Sequence, residues 1–586
     1  SLNTLSLFGL VLSIGIVVDD AIVVVENVER HIALGETPKE AARKAMDEVT
    51  GPIVAITSVL SAVFIPSAFL SGLQGEFYRQ FALTIAISTI LSAINSLTLS
   101  PALAGVLLKP HHGDVKRDLP TRVIDFLFGW FFRLFNRFFD GASNAYVWSV
   151  RRAARLSVLV LLVYAGLVGM TWVGFQTVPN GFVPAQDKYY LVGIAQLPTG
   201  ASLDRTEAVV KKMSEIALAE PGVESVVAFP GLSVNGMVNI PNAAVMFTML
   251  KPFDERKDPS LSPFAIAGKL MGKFSQIPDG FAGMFPPPPV PGLGSTGGFK
   301  IQIEDRAGLG FEALAQAQGA IMGRAMQTPE LAGMLASFQV NAPQVQVDID
   351  RVKAKSQGVP LNTIFETLQV NLGSLYANDF NRFGRTYRVM VQADAPFRMQ
   401  PEDIGRLKVR NSAGDMIPLS ALLTIKHSSG PDRVMHYNGF PSADISGSPA
   451  PGYSFGQATA AMERIASETL PPGMAFEWTD LAYQEKQAGN TAMFVFPLSV
   501  LLAFLILAAQ YNSWSLPFAV LLIAPMALLS AIAGVWFTGG DNNIFTQIGF
   551  VVLVGLAAKN AILIVEFARA KEDEGVDPLA AVLEAA

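Results

Sequence analysis

The chain has 586 residues, 51% hydrophobic and 16% charged, with a formal net charge of -6 and a mean hydropathy of +0.37. Soluble chains carry about a quarter charged residues, so this balance points to a membrane protein, and the modest negative charge argues against a nucleic-acid partner. Cysteine is absent, which excludes disulfides, cysteine zinc sites and a thiol nucleophile, and the five histidines form no HExxH spacing, so no metal site is expected.

A helix that crosses a bilayer needs about 20 mostly apolar residues. Seven such runs occur, at about 5–28, 50–71, 80–108, 156–177, 492–510, 516–538 and 544–568. The first begins almost at residue 1 without an initiating Met, and "AAVLEAA" ends the sequence inside a helical pattern. We therefore expect a piece of a longer chain.

The first run holds "GIVVDDAIVVVENVER", with Asp19 and Asp20 near the middle of the span. Each charge placed there costs about 3 kcal/mol even by the lower estimates, so these carboxylates must be paired or line a hydrated cavity. The loop that follows carries Arg30, Lys39, Arg43 and Lys44 and reads as cytoplasmic, whereas the loop near 72–79 has Arg79 alone and reads as external. After the third run comes another basic loop, with Lys109, Lys116, Arg117, Arg122, Arg133, Arg137, Arg151, Arg152 and Arg155. Within it, "TRVIDFLFGWFFRLFNRFFD" at 121–140 is too charged to span; we read a helix lying on the cytoplasmic surface or packed on the span ends.

The long polar stretch from about 179 to 490 falls outside and reads as α+β. "YYLVGIAQLP" is a strand, "SLDRTEAVVKKMSEIALAE" an amphipathic helix with Ser202 as N-cap, and "VESVVAF" a strand. The order recurs in "FKIQIED", "GFEALAQAQGAIMGRAMQTPE" and "PQVQVDID", which suggests repeated ferredoxin-like βαβ subdomains. A region at about 346–432, with short strands and turns such as "NSAGDM", looks inserted, and the strand–helix pattern then resumes. The Pro-rich "FPPPPVPGLGSTGG" at 285–298 must be extended or looped. No GxxxxGK[ST] phosphate loop is present, so any work across the membrane needs an energy source other than ATP bound here.

The last run contains "GLAAKNAILIVEFARA", which repeats the first charged pattern at an offset of about 540, with Lys559 in the register of Asp19 and Asn560 in that of Asp20. Arg569 and Lys571 follow on the inside, which closes the topology. Both charged helices run outside to inside, so the repeat is parallel, and a complete protein built on it has about twelve spans and two external domains. Helices related by such a repeat meet at its axis, where two acids face one base and one carboxylate stays free to titrate. Glu26 and Glu566, seven residues further on, lie about 10 Å down the same face and offer a route to the cytoplasm or a pair of solvated helix ends. The competing reading of Asp19, Asp20 and Lys559 is a structural salt bridge, which has no need of the second acid.

"GIVVDDAIVVVENVER", "SAVFIPSAFLSGLQGEFYRQF", "LTLSPALAGVLLKP" and "GLAAKNAILIVEFA" resemble the inner-membrane transporters of the resistance-nodulation-division superfamily, and best its hydrophobe/amphiphile efflux branch of Gram-negative bacteria. "QLPTGAS", "YNGFPSADISGSPAPG" and "AAQYNSWSLPF" extend the resemblance along essentially the whole chain. It implies a proton-motive-force-driven multidrug antiporter, not an enzyme, with Asp19, Asp20 and Lys559 as proton relay. The coupling ion is the proton and no other cofactor is implied. The family's further relay residues, on the eleventh span, lie beyond this sequence.

The resemblance also implies a fold and partners. The fold is an α-helical membrane bundle with an α+β periplasmic porter domain and an inserted docking subdomain. Residues 1–178 are spans 4–7, 179–298 the first porter subdomain, and 299–345 with 433–490 the second; 346–432 is the docking insert, 491–570 spans 8–10, and 571–586 the start of the next segment. Implied partners are two further copies in a homotrimer, a periplasmic membrane-fusion adaptor, an outer-membrane channel, amphiphilic drugs and the lipid bilayer. By position, the drug-contacting set maps to Val192, Ile194, Gln196, Val227, Phe229, Leu232, Val234, Phe247 and Phe285. "GLSVNG" at 231–236 matches the loop between the proximal and distal pockets, with Leu232 and Val234 where aromatics are common.

Two other classes are weighed. An intramembrane aspartyl protease places one acid on each of two helices, whereas here both acids are adjacent and the partner helix offers a lysine. A sterol- or peptide-handling relative, or a sensor, would share the membrane plan and differ in proton-coupled drug accumulation.

Overall fold

The computed structural model describes residues 2–70, 72–109, 119–234, 236–294, 296–488 and 491–585, with backbone only at 119–127, 491–494 and 496. The basic positions Lys116 and Arg117, the pair His111 and His112, and Asn235 of the "GLSVNG" loop lie outside the described residues, as does the Arg122 side chain.

Three long helices open the chain: α1 (Thr4–Ala33), α2 (Pro38–Ala68) and α3 (Gly72–Leu107). Asn3 caps α1 through the Ser6 N–H, and Thr37 caps α2 ahead of Pro38, whose missing N–H costs nothing in a first turn. Next come α4 (Leu119–Arg155) and α5 (Ser157–Thr177), and after the outer segment α14 (Thr491–Tyr511), α15 (Ser515–Leu521), α16 (Ala524–Phe537), α17 (Ile544–Asp573) and α18 (Pro578–Ala585). Six of these stretches, counting Ser515–Phe537 as one, are long and apolar enough to cross a membrane, and Pro497–Tyr511 is a shorter apolar helix. Ile16, Leu60, Phe81, Ile85, Leu507, Val552 and Ile562 knit α1, α2, α3, α14 and α17 into one packed core.

Two expectations for the membrane part change. The surface helix read at 121–140 continues to Arg155 and meets α5 across Leu156 alone. The single run at 516–538 is two helices, because Pro525 has no N–H to give to the preceding turn. The carbonyl of Leu522 at the break accepts the Tyr164 hydroxyl of α5 at 2.7 Å, so one of the carbonyls left open between the two helices is satisfied inside the apolar layer.

The outer segment begins with β1 (Tyr190–Gln196), α6 (Leu203–Leu218), β2 (Val223–Leu232), β3 (Asn239–Leu250), α7 (Pro263–Phe274) and β4 (Phe281–Phe285), its sheet ordered β2-β3-β1-β4. Ser202 caps α6 as expected. Leu191, Ala195 and Leu197 face α6 and α7 in a dry core with Met213, Leu270 and Phe274. Cutting the fully buried Phe274 back to Ala would cost roughly 3–5 kcal/mol. A second unit follows: β5 (Phe299–Asp305), α8 (Phe311–Ala325) and β6 (Leu331–Ala336), completed after an insertion by β13 (Met435–Tyr437), β14 (Phe440–Pro449), α12 (Phe455–Thr469), β15 (Met474–Thr479) and α13 (Asp480–Ala488).

The insertion is framed by β7 (Ala342–Ile349) pairing antiparallel with β12 (Leu423–Gly430). Between them lie α9 (Arg351–Ser356), α10 (Leu361–Leu368), the hairpin β8 (Leu375–Arg382) and β9 (Arg385–Val391), α11 (Pro401–Arg406), β10 (Lys408–Arg410) and β11 (Met416–Pro418). "PQVQVDID" therefore belongs to this frame and not to the sheet of β5, where β6 takes the place expected for it. Both strands are short, and alternation alone does not choose a partner.

The outer segment is stitched to the spans by backbone. Asn542 N–H donates to Pro179 O at 2.9 Å, Gly181 N–H to Asn542 O at 3.3 Å, and Ile544 N–H to Phe182 O at 3.0 Å. The first turn of α17 is thus bonded to the stretch where the chain leaves α5.

Candidate functional site

The charged spans α1 and α17 meet through their ionisable side chains. Lys559 Nζ donates to Asp20 Oδ1 at 2.5 Å and lies 3.2 Å from Asp19 Oδ2. Asp20 and Lys559 are 1% and 2% exposed, while the Asp19 side chain is 47% exposed. The repeat register matches Lys559 to Asp19 and Asn560 to Asp20; in the structure Lys559 lies against both acids, with Asp20 the inner one, and Asn560 is exposed.

A third helix completes the site. Ser92 Oγ on α3 lies 3.1 Å from Asp20 Oδ2 and 3.1 Å from Val17 O. A hydroxyl has one proton to donate, so it serves one acceptor at a time. One oxygen of Asp20 is held by a cation and the other by a switchable donor. Sequence reasoning missed Ser92, although Ser88, Ser92 and Ser96 recur every fourth residue, the spacing by which small polar residues bring helices together. Four residues before Lys559, Gly555 brings α17 against α2, where an added Cβ would come within 2.5 Å of Leu60 Cδ2.

Two ionised acids and one ammonium sum to -1, and one added proton makes the trio neutral. In a medium where each unpaired charge costs several kcal/mol, that single step leaves one carboxylate to hold Lys559. Of the two residues further down, Glu26 is exposed, and Glu566 has a buried oxygen with no hydrogen-bond partner among the described residues.

The nine positions expected to touch drugs fall on the first sheet and the loop beside it. Val227, Phe247, Val192 and Phe285 form one cross-strand row, and Phe229, Val245 and Ile194 the next. Val192, Ile194 and Phe285 are buried, with Leu232, Val234, Phe247 and Leu335 of the second unit packed on them. Gln196 lies further along the same face, and Val227 and Phe229 are exposed. Beside the second unit the face is closed: the gap lined by Ile194, Gln196, Val234 and Leu335 measures about 10 Å³.

A larger cavity, about 570 Å³, lies where the outer segment meets α3 and α17, lined in part by Gln74, Gln457, Glu485 and Gln547. Gln547 Oε1 accepts from Gln74 at 3.2 Å and from the Tyr78 hydroxyl at 3.0 Å. Burial pushes the Glu485 carboxyl up to about 7, with Lys486 opposing the shift and Glu463 adding to it. Its Oε2 has no hydrogen-bond partner among the described residues. Nothing in "YQEK" marked this glutamate beforehand.

The family model described as the AcrB/AcrD/AcrF family matches residues 1–586. Multidrug export protein AcrF of Escherichia coli (strain K12) is 40% identical over 583 residues, which is 98% of this chain and 55% of that protein. The multidrug/solvent efflux pump membrane transporter MepB of Pseudomonas putida is 40% identical over 589 residues, covering 100% and 55%. Multidrug resistance protein MdtF of Escherichia coli (strain K12) is 38% identical over 593 residues, covering 100% and 56%. The chain spans about half the length of these relatives.

Proposed function

Because this chain belongs to the AcrB/AcrD/AcrF family, we propose that it supplies the charged spans and one outer domain of a proton-driven exporter of amphiphilic drugs. The observation that carries this reading is Lys559 held between the buried Asp20 and the half-exposed Asp19. A proton arriving from outside reaches Asp19 first, since Asp20 is enclosed by Lys559 and Ser92. Protonation leaves one carboxylate for the ammonium, the helices repack, and release to the inside restores the trio.

A proton moving down about 180 mV supplies roughly 4 kcal/mol, near a thousandfold concentration ratio. Drugs would be held against the apolar face formed by Val192, Ile194, Phe247 and Phe285 when its closed gap opens. That opening separates two units of ferredoxin-like form, 179–298 and 299–345 with 433–490, while 346–432 serves as half of a docking domain. Relatives named for multidrug and solvent efflux support an amphiphilic substrate class. On this reading the protein is a homotrimer in the inner membrane of a Gram-negative bacterium, joined to a periplasmic adaptor and an outer-membrane channel.

The test is drug accumulation in efflux-deficient cells that carry the full-length protein. Accumulation should fall on expression and recover when a protonophore collapses the gradient at constant ATP. Accumulation indifferent to the gradient would leave the sterol- or peptide-handling and sensor readings instead.

A further inference from the structure

The elbow between α4 and α5 combines two surfaces that nothing in the proton or drug path uses. The C-terminal end of α4 carries Arg151 and, in its last turn, Arg152 and Arg155, all exposed. Residues 151 and 155, and 152 and 155, are spaced to share one helix face. None of the three has a carboxylate partner among the described residues, in contrast to Arg30, Arg306 and Arg324. The Arg152 guanidinium sits 5.5 Å from the centre of the Trp148 ring, which fixes its position at the rim. Immediately beyond Leu156, α5 begins its apolar run, and Val158, Leu159, Leu161 and Leu162 are exposed along it.

Between the two helices lies a cleft of about 300 Å³. Trp148, Ser149 and Arg152 line one end, and Leu159, Val160 and Val163 line the other. The basic loops place this end of α5 on the cytoplasmic side, so the cleft straddles the boundary between headgroups and acyl chains. A site polar and cationic at that boundary and apolar below it matches one molecule: a lipid with a net negative headgroup. Arginine binds phosphate oxygens through two parallel N–H donors, and three guanidiniums without a carboxylate partner among the described residues exceed what a zwitterionic headgroup compensates. Trp148 adds an amphipathic ring at headgroup level, where indoles concentrate.

We propose that the α4–α5 elbow is a binding site for an anionic phospholipid, with Arg152, which lines the cleft, holding the headgroup phosphate and Arg151 and Arg155 on the adjoining helix face adding positive charge. One acyl chain lies along Leu159, Val160 and Val163. The lipid would tie the amphipathic helix α4 to the membrane at its join with a span. The selectivity resides in the arginines and the affinity of the chain in α5.

The test uses the full-length protein reconstituted in phosphatidylethanolamine with increasing brominated phosphatidylglycerol or brominated phosphatidylcholine. Quenching of Trp148 is read as the difference between the wild type and Trp148→Phe. Each engaged arginine is worth about a fivefold preference for the anionic headgroup, so half-quenching should need at least about fivefold less phosphatidylglycerol than phosphatidylcholine. The combined Arg151→Gln, Arg152→Gln, Arg155→Gln variant should lose that preference while its helical content is unchanged. Equal quenching by both lipids in the wild type, or a preference that survives the triple substitution, overturns the proposal. Should the triple variant misfold, raising the salt concentration on the wild type serves in its place: a preference that does not shrink with salt overturns it equally.

Discussion

Lys559 gives its 2.5 Å hydrogen bond to Asp20, the enclosed acid, and not to the half-exposed Asp19 that the sequence offset sets in its register. On the proposed reading the two aspartates would do different work: one would anchor the ammonium, the other would be open to a proton. Asp19→Asn and Asp20→Asn, made in the full-length protein, should each abolish efflux with expression and trimer assembly intact. Asp20→Asn should also lower stability, by up to about 3–5 kcal/mol, because Lys559 loses its buried counterion. Drug susceptibility and thermal unfolding of both variants check this; undiminished resistance removes that residue from the relay.

Lys559→Met leaves two carboxylates and no cation in the same space. Transport should stop although no residue of the apolar drug face has changed. Lys559→Arg should fail to restore it, since a planar guanidinium does not fit the place of a compact ammonium between Asp20 and Asp19. Drug-coupled proton flux in proteoliposomes is the measurement, and normal flux in Lys559→Met would make the lysine a bystander.

Ser92→Ala removes the donor on the second oxygen of Asp20 and leaves the ion pair in place. A hydrogen bond to a charged group is worth about 1.5–3 kcal/mol, so the pH profile of efflux should shift while the maximal rate changes little. Ser92→Thr, which keeps the hydroxyl, should return the profile towards wild type. A profile unmoved in Ser92→Ala would reduce the serine to helix packing.

Phe247→Ala and Phe285→Ala should change the substrate profile without uncoupling proton flux, because large aromatic faces supply much of the contact in an adaptable apolar site. Phe285 is the more buried of the two, so its variant should also be the less stable. A uniform loss across substrates in Phe247→Ala would instead mark that ring as part of the domain core.

The Glu485 carboxyl is raised from 4.5 to about 7 by burial, so the folded protein binds that proton more tightly than the unfolded chain does. Its contribution is fully present below pH 4.5, declines between 4.5 and 7, and is gone above 7. The shift corresponds to about 3 kcal/mol at most. Glu485→Gln should remove this slope and leave the protein more stable than wild type at pH 8. The difference in unfolding temperature between the two, followed from pH 4 to 8, reads it directly, and a constant difference would contradict it.

The spans and the charged trio were legible because a bilayer makes ionisable side chains conspicuous: "VVDDAIVVV" and "LAAKNAILIV" stand out against any apolar background. Which aspartate takes the inner place was not legible, since adjacent residues on a helix differ by 100° of rotation that only the neighbouring helices orient. Ser92 was hidden for a similar reason, being an ordinary small residue until α3 brings it to Asp20. The break at Pro525 followed from proline chemistry, but the Tyr164 hydroxyl that makes it tolerable comes from a helix about 360 residues away in sequence. The pairing of "PQVQVDID" with β12 escaped because register and partner are set by the whole insertion, not by the strand itself.

The three backbone bonds between 179–182 and 542–544 give α17 a fixed upper end. From Ile544 to Lys559 the helix rises through 15 steps, a rod of about 22 Å that neither stretches nor shortens without breaking its own ladder. On the proposed relay, any axial slip of Lys559 on protonation of Asp19 would therefore be delivered at Ile544. The N–H of Ile544, bonded to Phe182 O, becomes a gauge of the ion pair far below it, and its rate of deuterium uptake should differ between wild type and Asp19→Asn.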